Sequence, residues 1–335
     1  MKTIWKKYIT WVIFLWLSAI PSIAYPFNVN QFIFNDLTKN GTYLDMTGSG
    51  ILKDFGIKAL ARSKMIFRIE FLGLQTHEIT DIGAKALAES PYLKNLKSLN
   101  LFQNNIGPAG IKAIVQSDTI GKLTYLNLWG NKIGDEGAIE IARSENLASL
   151  KFLDLSWNKI GPDGAKAIAE SPFLRLKVLK LGNNHIGDEG FAALTNLEFL
   201  SNLEILDASG NKIGPEGIRP WSTGEVVNSL SELNLKRNSL KNKGSAYLAN
   251  SKNFSNLKQL DLEWNGIHAQ GAIKLAQSFN LSSLTILKLW GNEIKEEGLQ
   301  AIQQSSYLKN LTNTILPFDR GEVVTGRELE GRIEN

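Results

Sequence analysis

Three aspartates and three histidines are the side chains whose chemistry could support a reaction or hold a metal ion. Carboxylate and imidazole groups together bind divalent metals and exchange protons. Cysteine is absent, so thiolate chemistry and a disulfide framework are excluded. Whether these groups could act together depends on the elements that position them. In chain order they are His77, Asp154, His185, Asp207, Asp261 and His268.

A phrase of the form L-x-L-x-x-N recurs along the chain, each time followed by a Gly- and Ala-rich amphipathic stretch. The closing asparagines are spaced by 27, 27, 26, 27, 27, 27 and 27 residues, and this period predicts a solenoid. Weaker copies place Ser49, His77 and Asp319 at the asparagine position, which gives about eleven repeats. We call the regular set the asparagine ladder: Asn104, Asn131, Asn158, Asn184, Asn211, Asn238, Asn265 and Asn292.

Each repeat combines two periodicities. Residues 150–160, LKFLDLSWNKI, alternate apolar and polar, which predicts a short strand with one buried face. Residues 161–174 open with Gly, Pro and Asp and continue at helical spacing. Parallel strands stack about 4.8 Å apart and helices are about 10 Å across, so the stack must curve with its strands inside. In the repeat after Asn211, Pro220 and Gly224 predict an interrupted helix.

These repeats resemble the leucine-rich repeat family, in its ribonuclease-inhibitor-like class with a helix in every coil. The match to L-x-x-L-x-L-x-x-N-x-I covers roughly residues 40–319. The resemblance implies an α/β fold, a right-handed curved solenoid with parallel strands on the concave face and helices on the convex face. It also implies that the asparagines hydrogen-bond backbone groups of neighbouring coils, which a buried turn requires.

Two segments are most similar to the Gly-Ala-Leu-Ala repeat effectors that bacteria export. They are GAKALAES from Gly83 and GAKAIAES from Gly164. Nothing resembling the F-box of those effectors is present, because residues 25–40 are too few to form one. Ubiquitin-ligase recruitment is therefore not implied.

The N-terminal residues predict export. They contain three lysines, an apolar run from Tyr8 to Ile20 and a small-residue cleavage pattern ending at Ala24, as in a signal peptide. Because that run is shorter than the ~20 residues that span a bilayer, a retained membrane anchor is the less favoured alternative. We expect a secreted or periplasmic protein with a signal peptide at 1–24, a lead-in at 25–40, repeats at 41–319 and a polar tail at 320–335.

The charge pattern and the repeat spacing exclude several kinds of site. Without residues 1–24, the 37 basic residues fall to 34, against 33 acidic ones, which gives no basic surface for nucleic acid. Asp154, Asp207 and Asp261 fall two coils apart, hence roughly 9 to 10 Å, too far to share one ion. The histidines fall at or beside the turn position. We therefore expect no metal, no cofactor and no catalytic residue.

Aromatic residues at solvent-facing strand positions predict a binding surface on the concave side. Side chains alternate along a strand, so the residues that flank the inner leucines point away from the core. Exposed aromatic clusters mark interaction sites, although rings on adjacent strands can also stabilise the sheet by packing on each other. The first predicted cluster is Phe102, Tyr125, Asn127, Trp129, Phe152, Asp154 and Trp157, and the second is Asp261, Trp264 and Trp290.

The sequence favours an exported, non-enzymatic scaffold that binds a protein partner through its concave sheet. A membrane-tethered recognition protein is the alternative, should the N-terminal segment stay attached. The resemblance also covers enzyme inhibitors and a GTPase-activating factor, and the latter role is cytosolic in the family, which the export signal argues against. An enzyme is disfavoured because no catalytic constellation is present.

Overall fold

The computed structural model of the chain describes residues 28–195, 197–224, 229–315 and 324–325. The predicted signal peptide, its cleavage point after Ala24, the repeat position at Asp319 and most of the predicted tail lie outside these residues. The strands are β1 (Leu37–Thr38), β2 (Tyr43–Asp45), β3 (Phe71–Gly73), β4 (Ser98–Asn100), β5 (Tyr125–Asn127), β6 (Phe152–Asp154), β7 (Val178–Lys180), β8 (Ile205–Asp207), β9 (Glu232–Asn234), β10 (Gln259–Asp261), β11 (Ile286–Lys288), β12 (Asn313–Ile315) and β13 (Val324–Thr325).

Helices follow the strands and form a second layer. They are α1 (Val29–Asp36), α2 (Lys53–Arg62), α3 (Asp81–Ala88), α4 (Pro108–Val115), α5 (Gly134–Ala142), α6 (Pro162–Ala169), α7 (Gly187–Ala193), α8 (Leu197–Leu200), α9 (Pro215–Thr223), α10 (Lys241–Asn250), α11 (Ala269–Ala276) and α12 (Lys295–Gln303). Five further single 3₁₀ turns occur in the connections at 39–41, 64–66, 145–147, 252–254 and 279–281.

The sheet runs through the strands in chain order. Strands β2 to β12 are parallel, and the end strands β1 and β13 pair with them antiparallel. The register keeps equivalent leucines opposite each other, as in Leu126, Leu153 and Leu179. Each residue of this row is fully buried, and burying one leucine contributes roughly 1.5 to 3 kcal/mol. The predicted curved α/β solenoid is confirmed.

The two ends of the sheet are closed differently from its middle. Helix α1 lies against the first coil, where the Ser63 hydroxyl donates a 2.7 Å hydrogen bond to Asn30 Oδ1. Ser49, which the repeat pattern places at an asparagine position, donates its hydroxyl proton to Asp36 of the same helix. Ser49 therefore links the first coil to the N-terminal helix. It contacts a side chain, whereas the ladder asparagines contact backbone groups.

One helix contradicts the sequence prediction. Helix α9 continues through Pro220 and ends only before Gly224, so the expected interruption at Pro220 is wrong. The next residue, Trp221, is buried, and its Nε1–H donates to the Phe191 carbonyl oxygen at 3.3 Å. Its indole is stacked between Phe191 and Phe254, with ring centroids 5.1 and 5.8 Å away. This packing holds the helix in place where the proline provides no N–H group.

From α4 to α12, apart from the four-residue α8, the helices begin in two alternating ways. One kind starts after a residue in extended conformation, such as Gly161 (φ −98°), and the other with a left-handed residue, such as Gly134 (φ 58°). At α5, α7 and α10 the left-handed start is followed by an acidic or amide residue that accepts hydrogen bonds from the helix start of the next coil. Asp135 Oδ1 accepts hydrogen bonds from the N–H groups of Gly161 (2.7 Å) and Gly164 (2.9 Å). The start of one helix is thus capped by a side chain of the preceding coil.

Candidate binding surface

The asparagine ladder fixes the geometry of the strand exits. Asn184 is buried, and its Oδ1 accepts from the N–H groups of Asn158 (2.9 Å) and Ile160 (3.1 Å). Its Nδ2 donates to the carbonyls of Leu155 and Leu181, both at 2.9 Å. The same pattern of amide contacts recurs along the ladder, so each asparagine joins adjacent coils and sets where the concave side chains stand.

The aromatic residues of the first cluster form two stacks that run across the strands. Tyr125 stacks on Phe152 with centroids 4.2 Å apart, and Phe102 stacks on Trp129 at 4.5 Å. Trp157 adds a tilted contact to Trp129 at 6.1 Å. This geometry is what the packing alternative predicts. The four stacked rings nevertheless remain partly exposed and Trp157 is 54% exposed, so the stacks also present an aromatic surface to a partner.

The polar residues of the first cluster hold the backbone at the strand exits. Asn127 Oδ1 accepts from the N–H of Trp129, and Asp154 Oδ1 accepts from the N–H of Ser156, both at 3.0 Å. Sequence reasoning assigned these side chains to a partner only and missed this contact. The signal was available, because Asn or Asp recurs between the inner leucines in most coils.

Burial raises the pKa of the Asp154 carboxyl above its ordinary value, and the hydrogen bond from Ser156 and the charge of Lys180 oppose this only in part. The Lys180 ammonium lies 5.4 Å from the centroid of the Phe152 ring. A desolvated carboxyl, a cation and an aromatic face therefore meet on the adjacent strands β6 and β7. Such a group of side chains can bind polar and apolar parts of one ligand.

The second cluster lies on β10, β11 and their exits. Trp264 is 44% exposed and meets the edge of Trp290 at 4.8 Å with an interplanar angle of 84°. Burial raises the pKa of Asp261, whose Oδ1 accepts from the Glu263 N–H at 3.1 Å. Lys288 Nζ lies 3.5 Å from Asp261 Oδ2. The structure thus brings the three predicted residues onto two adjacent coils.

The backbone just before each ladder asparagine is left-handed, which sequence reasoning did not detect. Glycine occupies this position at Gly130, Gly210 and Gly291, where a positive φ is easily adopted. Tryptophan occupies it at Trp157 (φ 58°) and Trp264 (φ 55°). The two exposed tryptophans therefore stand at the rim of the sheet on strained backbone.

The histidines are separated along the solenoid. His77 is buried at the ladder position, His185 is exposed, and His268 precedes α11 with its Nδ1 3.4 Å from Glu293 Oε2. In the described ranges, no three His, Cys, Asp or Glu side chains are grouped so that they could hold a metal ion. Over the same residues, no helix is long and apolar enough to cross a bilayer.

The repeats match a known protein family. A family model described as Leucine Rich repeat matches residues 92–115, 122–142, 146–169, 176–194, 199–220, 255–276 and 280–302. The chain is a leucine-rich repeat protein. This leucine-rich repeat protein matches a solved leucine-rich repeat protein of Leptospira interrogans at 20% identity and a TM-score of 0.47, over 77% of this chain and 62% of that one. It spans less than two thirds of that relative, and no curated protein matches the sequence.

The leucine-rich repeat surface offers rings, amides and paired charges on rigid backbone. Lys236 pairs with Glu263 and Lys288 with Asp261, so these two cations are balanced within the sheet. Groups of side chains that could hold a metal ion are not found among the residues described. What the arrangement can do chemically is to bind a partner by stacking, burial and hydrogen bonding.

Proposed function

We propose that this leucine-rich repeat protein is an exported scaffold that binds a protein partner through the first aromatic cluster on its concave face. The observation that supports this is the pair of stacks Phe102–Trp129 and Tyr125–Phe152, which cover three adjacent coils and continue to the exposed Trp157. Aromatic residues dominate the energetic centres of protein interfaces. Leucine-rich repeats generally mediate protein binding, which favours this use of the surface.

Rigidity of the surface supports the same function. Asn127 and Asp154 are bonded to the backbone, and the stacked rings restrict one another. A partner therefore meets side chains that are already ordered, and little rotamer entropy is lost when it binds. A rigid aromatic surface of this kind favours tight binding of one shape over loose binding of many.

Export is supported by the N-terminal sequence and by the likeness of the segments at Gly83 and Gly164 to exported bacterial effectors. N-terminal sequencing of the protein recovered outside the cytoplasm tests this part of the proposal. A chain that begins at Tyr25 supports cleavage. A chain that still begins at Met1 favours the membrane-tethered recognition protein instead.

The binding surface is tested with the double variant Trp129→Ala, Phe152→Ala. Purified protein is used to capture partners from secreted or host extracts, and circular dichroism and thermal unfolding check the fold. The matched control is Phe279→Ala, Tyr307→Ala, which removes an exposed aromatic pair in edge contact at 6.2 Å outside the cluster. We expect the control to retain the captured partner and the double variant to lose it. Unchanged capture by a folded double variant would contradict the proposal.

A further inference from the structure

Trp157 and Trp264 have a backbone conformation that is unfavourable for tryptophan. Both are left-handed, and a β-carbon in this conformation crowds the following carbonyl oxygen, which costs an L-residue free energy that glycine does not lose. Both side chains are about half exposed, at 54% and 44%, so neither fills the core. The turn imposes this conformation on every coil of the ladder, so what sets the two tryptophans apart is a bulky, half-exposed ring at a position where glycine costs less, and this indicates a role in function.

The coil after Trp264 is adapted to its indole. A β-carbon on Gly291 would lie 2.4 Å from Trp264 Cδ2, so only glycine allows the ring to lie over this backbone. Trp157 leans the other way and contacts Trp129 of the preceding coil at 6.1 Å. The two indoles therefore incline toward opposite ends of the solenoid and leave the rim between them open.

Arg237 lies between the two tryptophans, at the same left-handed position of its coil. The left-handed positions between the two tryptophans hold Asn183, Gly210 and Arg237. Arg237 is exposed, and within the described part of the chain its guanidinium takes part in no ion pair, whereas Lys236 beside it is paired with Glu263. A guanidinium binds a carboxylate through two parallel hydrogen bonds. The free charge on this rim therefore fits an acidic group.

Distance along the rim sets the length of the ligand. Trp157 and Trp264 are four coils apart, which at about 4.8 Å per strand is roughly 19 Å. An extended polypeptide covers about 3.3 Å per residue, so about six residues span the distance between the two tryptophan backbones, and the end side chains of such a segment reach outward to the rings. The rim backbone is already used between coils, since Asn183 N donates to Ser209 O (2.7 Å) and Gly210 N to Lys236 O (2.8 Å). The ligand must therefore be held by side chains and not by strand addition.

We propose that Trp157 and Trp264 are the two anchors of one site. The site takes an extended polypeptide segment of about six residues with a large apolar side chain near each end and a carboxylate between them that pairs with Arg237. This inference rests on the proposed function, because it specifies which part of a protein partner is recognised. The proposed site combines Trp157 of the first predicted cluster and Trp264 of the second into a single binding surface.

The test uses a phage-displayed library of random hexapeptides selected against the full chain as it is exported. We expect enriched peptides to carry aromatic or large aliphatic residues at both ends and Asp or Glu inside. The variants Trp157→Gly and Trp264→Gly should each weaken binding of a selected peptide by tenfold or more, while the thermal midpoint stays equal or rises. The control Gln103→Gly changes the same left-handed position outside the site and should leave binding unchanged.

A second measurement isolates the charge pair. In Arg237→Gln, replacing the peptide's Glu by Gln should no longer weaken binding, although it does so in the parent protein. The inference is overturned if no peptide pattern is enriched, if binding tolerates both glycine variants, if those variants lower the thermal midpoint, or if a glycan array binds where peptides do not. If capture of a natural partner depends on Trp129 and Phe152 but not on Trp157 or Trp264, the proposed function stands and this inference falls.

Discussion

His77 Nδ1 accepts a hydrogen bond from the backbone N–H of Leu52, at 3.4 Å, where the later coils use the Oδ1 atom of an asparagine. Leu52 is equivalent to Ile79, whose N–H is bound by Asn104 at 3.0 Å. The imidazole of His77 thus takes the place of a ladder asparagine in the coil before Asn104. Unlike an amide, it can take up a proton, and protonated Nδ1 can no longer accept.

This substitution predicts a pH-dependent N-terminal end. Burial lowers the pKa of His77 below its ordinary value of 6.5, and nearby carbonyl groups offset this only in part. The unfolded chain then binds the proton more readily, so the stabilisation is fully present above pH 6.5 and is lost as the pH falls through the lowered pKa. We expect the free energy of unfolding to fall between pH 7 and 5, and to fall less in His77→Asn. Urea titrations at several pH values measure this. Equal pH dependence in both proteins would refute it.

Removal of a ladder asparagine should destabilise several coils together. The variant Asn184→Ala leaves two buried backbone N–H groups without an acceptor, each at a cost of roughly 1 to 3 kcal/mol. We expect the free energy of unfolding to fall by more than about 2 kcal/mol in urea titrations. The exposed Asn105→Ala serves as the control and should have little effect. The two groups are the N–H of Asn158 and the N–H of Ile160, whereas the carbonyls of Leu155 and Leu181 keep the Nδ2 donors of Asn158 and Asn211.

The cross-coil cap at Asp135 can be compared with an acidic residue that caps no helix. Asp135→Ala removes the acceptor for two N–H groups of helix α6 and should lower the free energy of unfolding by about 1 to 2 kcal/mol. Asp163, in the first turn of helix α6, is exposed, and Asp163→Ala should change stability little. Thermal or urea unfolding of the two variants checks this. Similar losses would mean that general charge at helix starts, and not the cap, matters.

Asp154 should be dispensable for folding but not replaceable by an apolar residue. Burial raises its pKa above the ordinary 3.8, so its contribution to stability is present below that pH and is lost as the pH rises through the folded pKa. At pH 7 the ionised carboxylate therefore opposes folding. Asp154→Asn keeps the acceptor for Ser156 and should be as stable as the parent or more so. Asp154→Leu removes it and should cost about 1 to 3 kcal/mol. Urea unfolding at pH 7 distinguishes these outcomes, and a destabilised Asp154→Asn would refute the assignment.

The period of the sequence was enough to predict the parallel sheet, because the spacing of apolar residues within one repeat is local information. It placed Leu126 and Leu153 opposite each other and brought the aromatic residues of the first cluster onto neighbouring strands. What it did not give were contacts between unlike positions of adjacent coils. The cap that Asp135 makes on the next helix and the space that Gly291 leaves for Trp264 are of this kind.

The error at Pro220 has a related cause. The sequence prediction considered only the effect of the proline within its own helix. Helix α9 is instead stabilised by Trp221, which packs on aromatic residues of the coils before and after it. The alternating helix starts did leave a signal, since G-D-E-G at Gly134 and Gly187 alternates with G-P-x-G at Gly107, Gly161 and Gly214. This alternation is visible only when each repeat is compared with the second one after it.

That alternation bears on how such a chain can lengthen or shorten. Asp135 and Asp188 each serve the helix that follows, whose start is shaped to receive them. Loss of one repeat between α4 and α12 would set two starts of the same kind side by side. The chain holds one such junction, at α3 and α4, which both follow an extended residue, and there Asp81 of α3 caps α4. Duplication or deletion of two repeats at once would preserve every alternating junction with no such replacement of a capping residue, so a pair of repeats is the unit that can be copied unchanged.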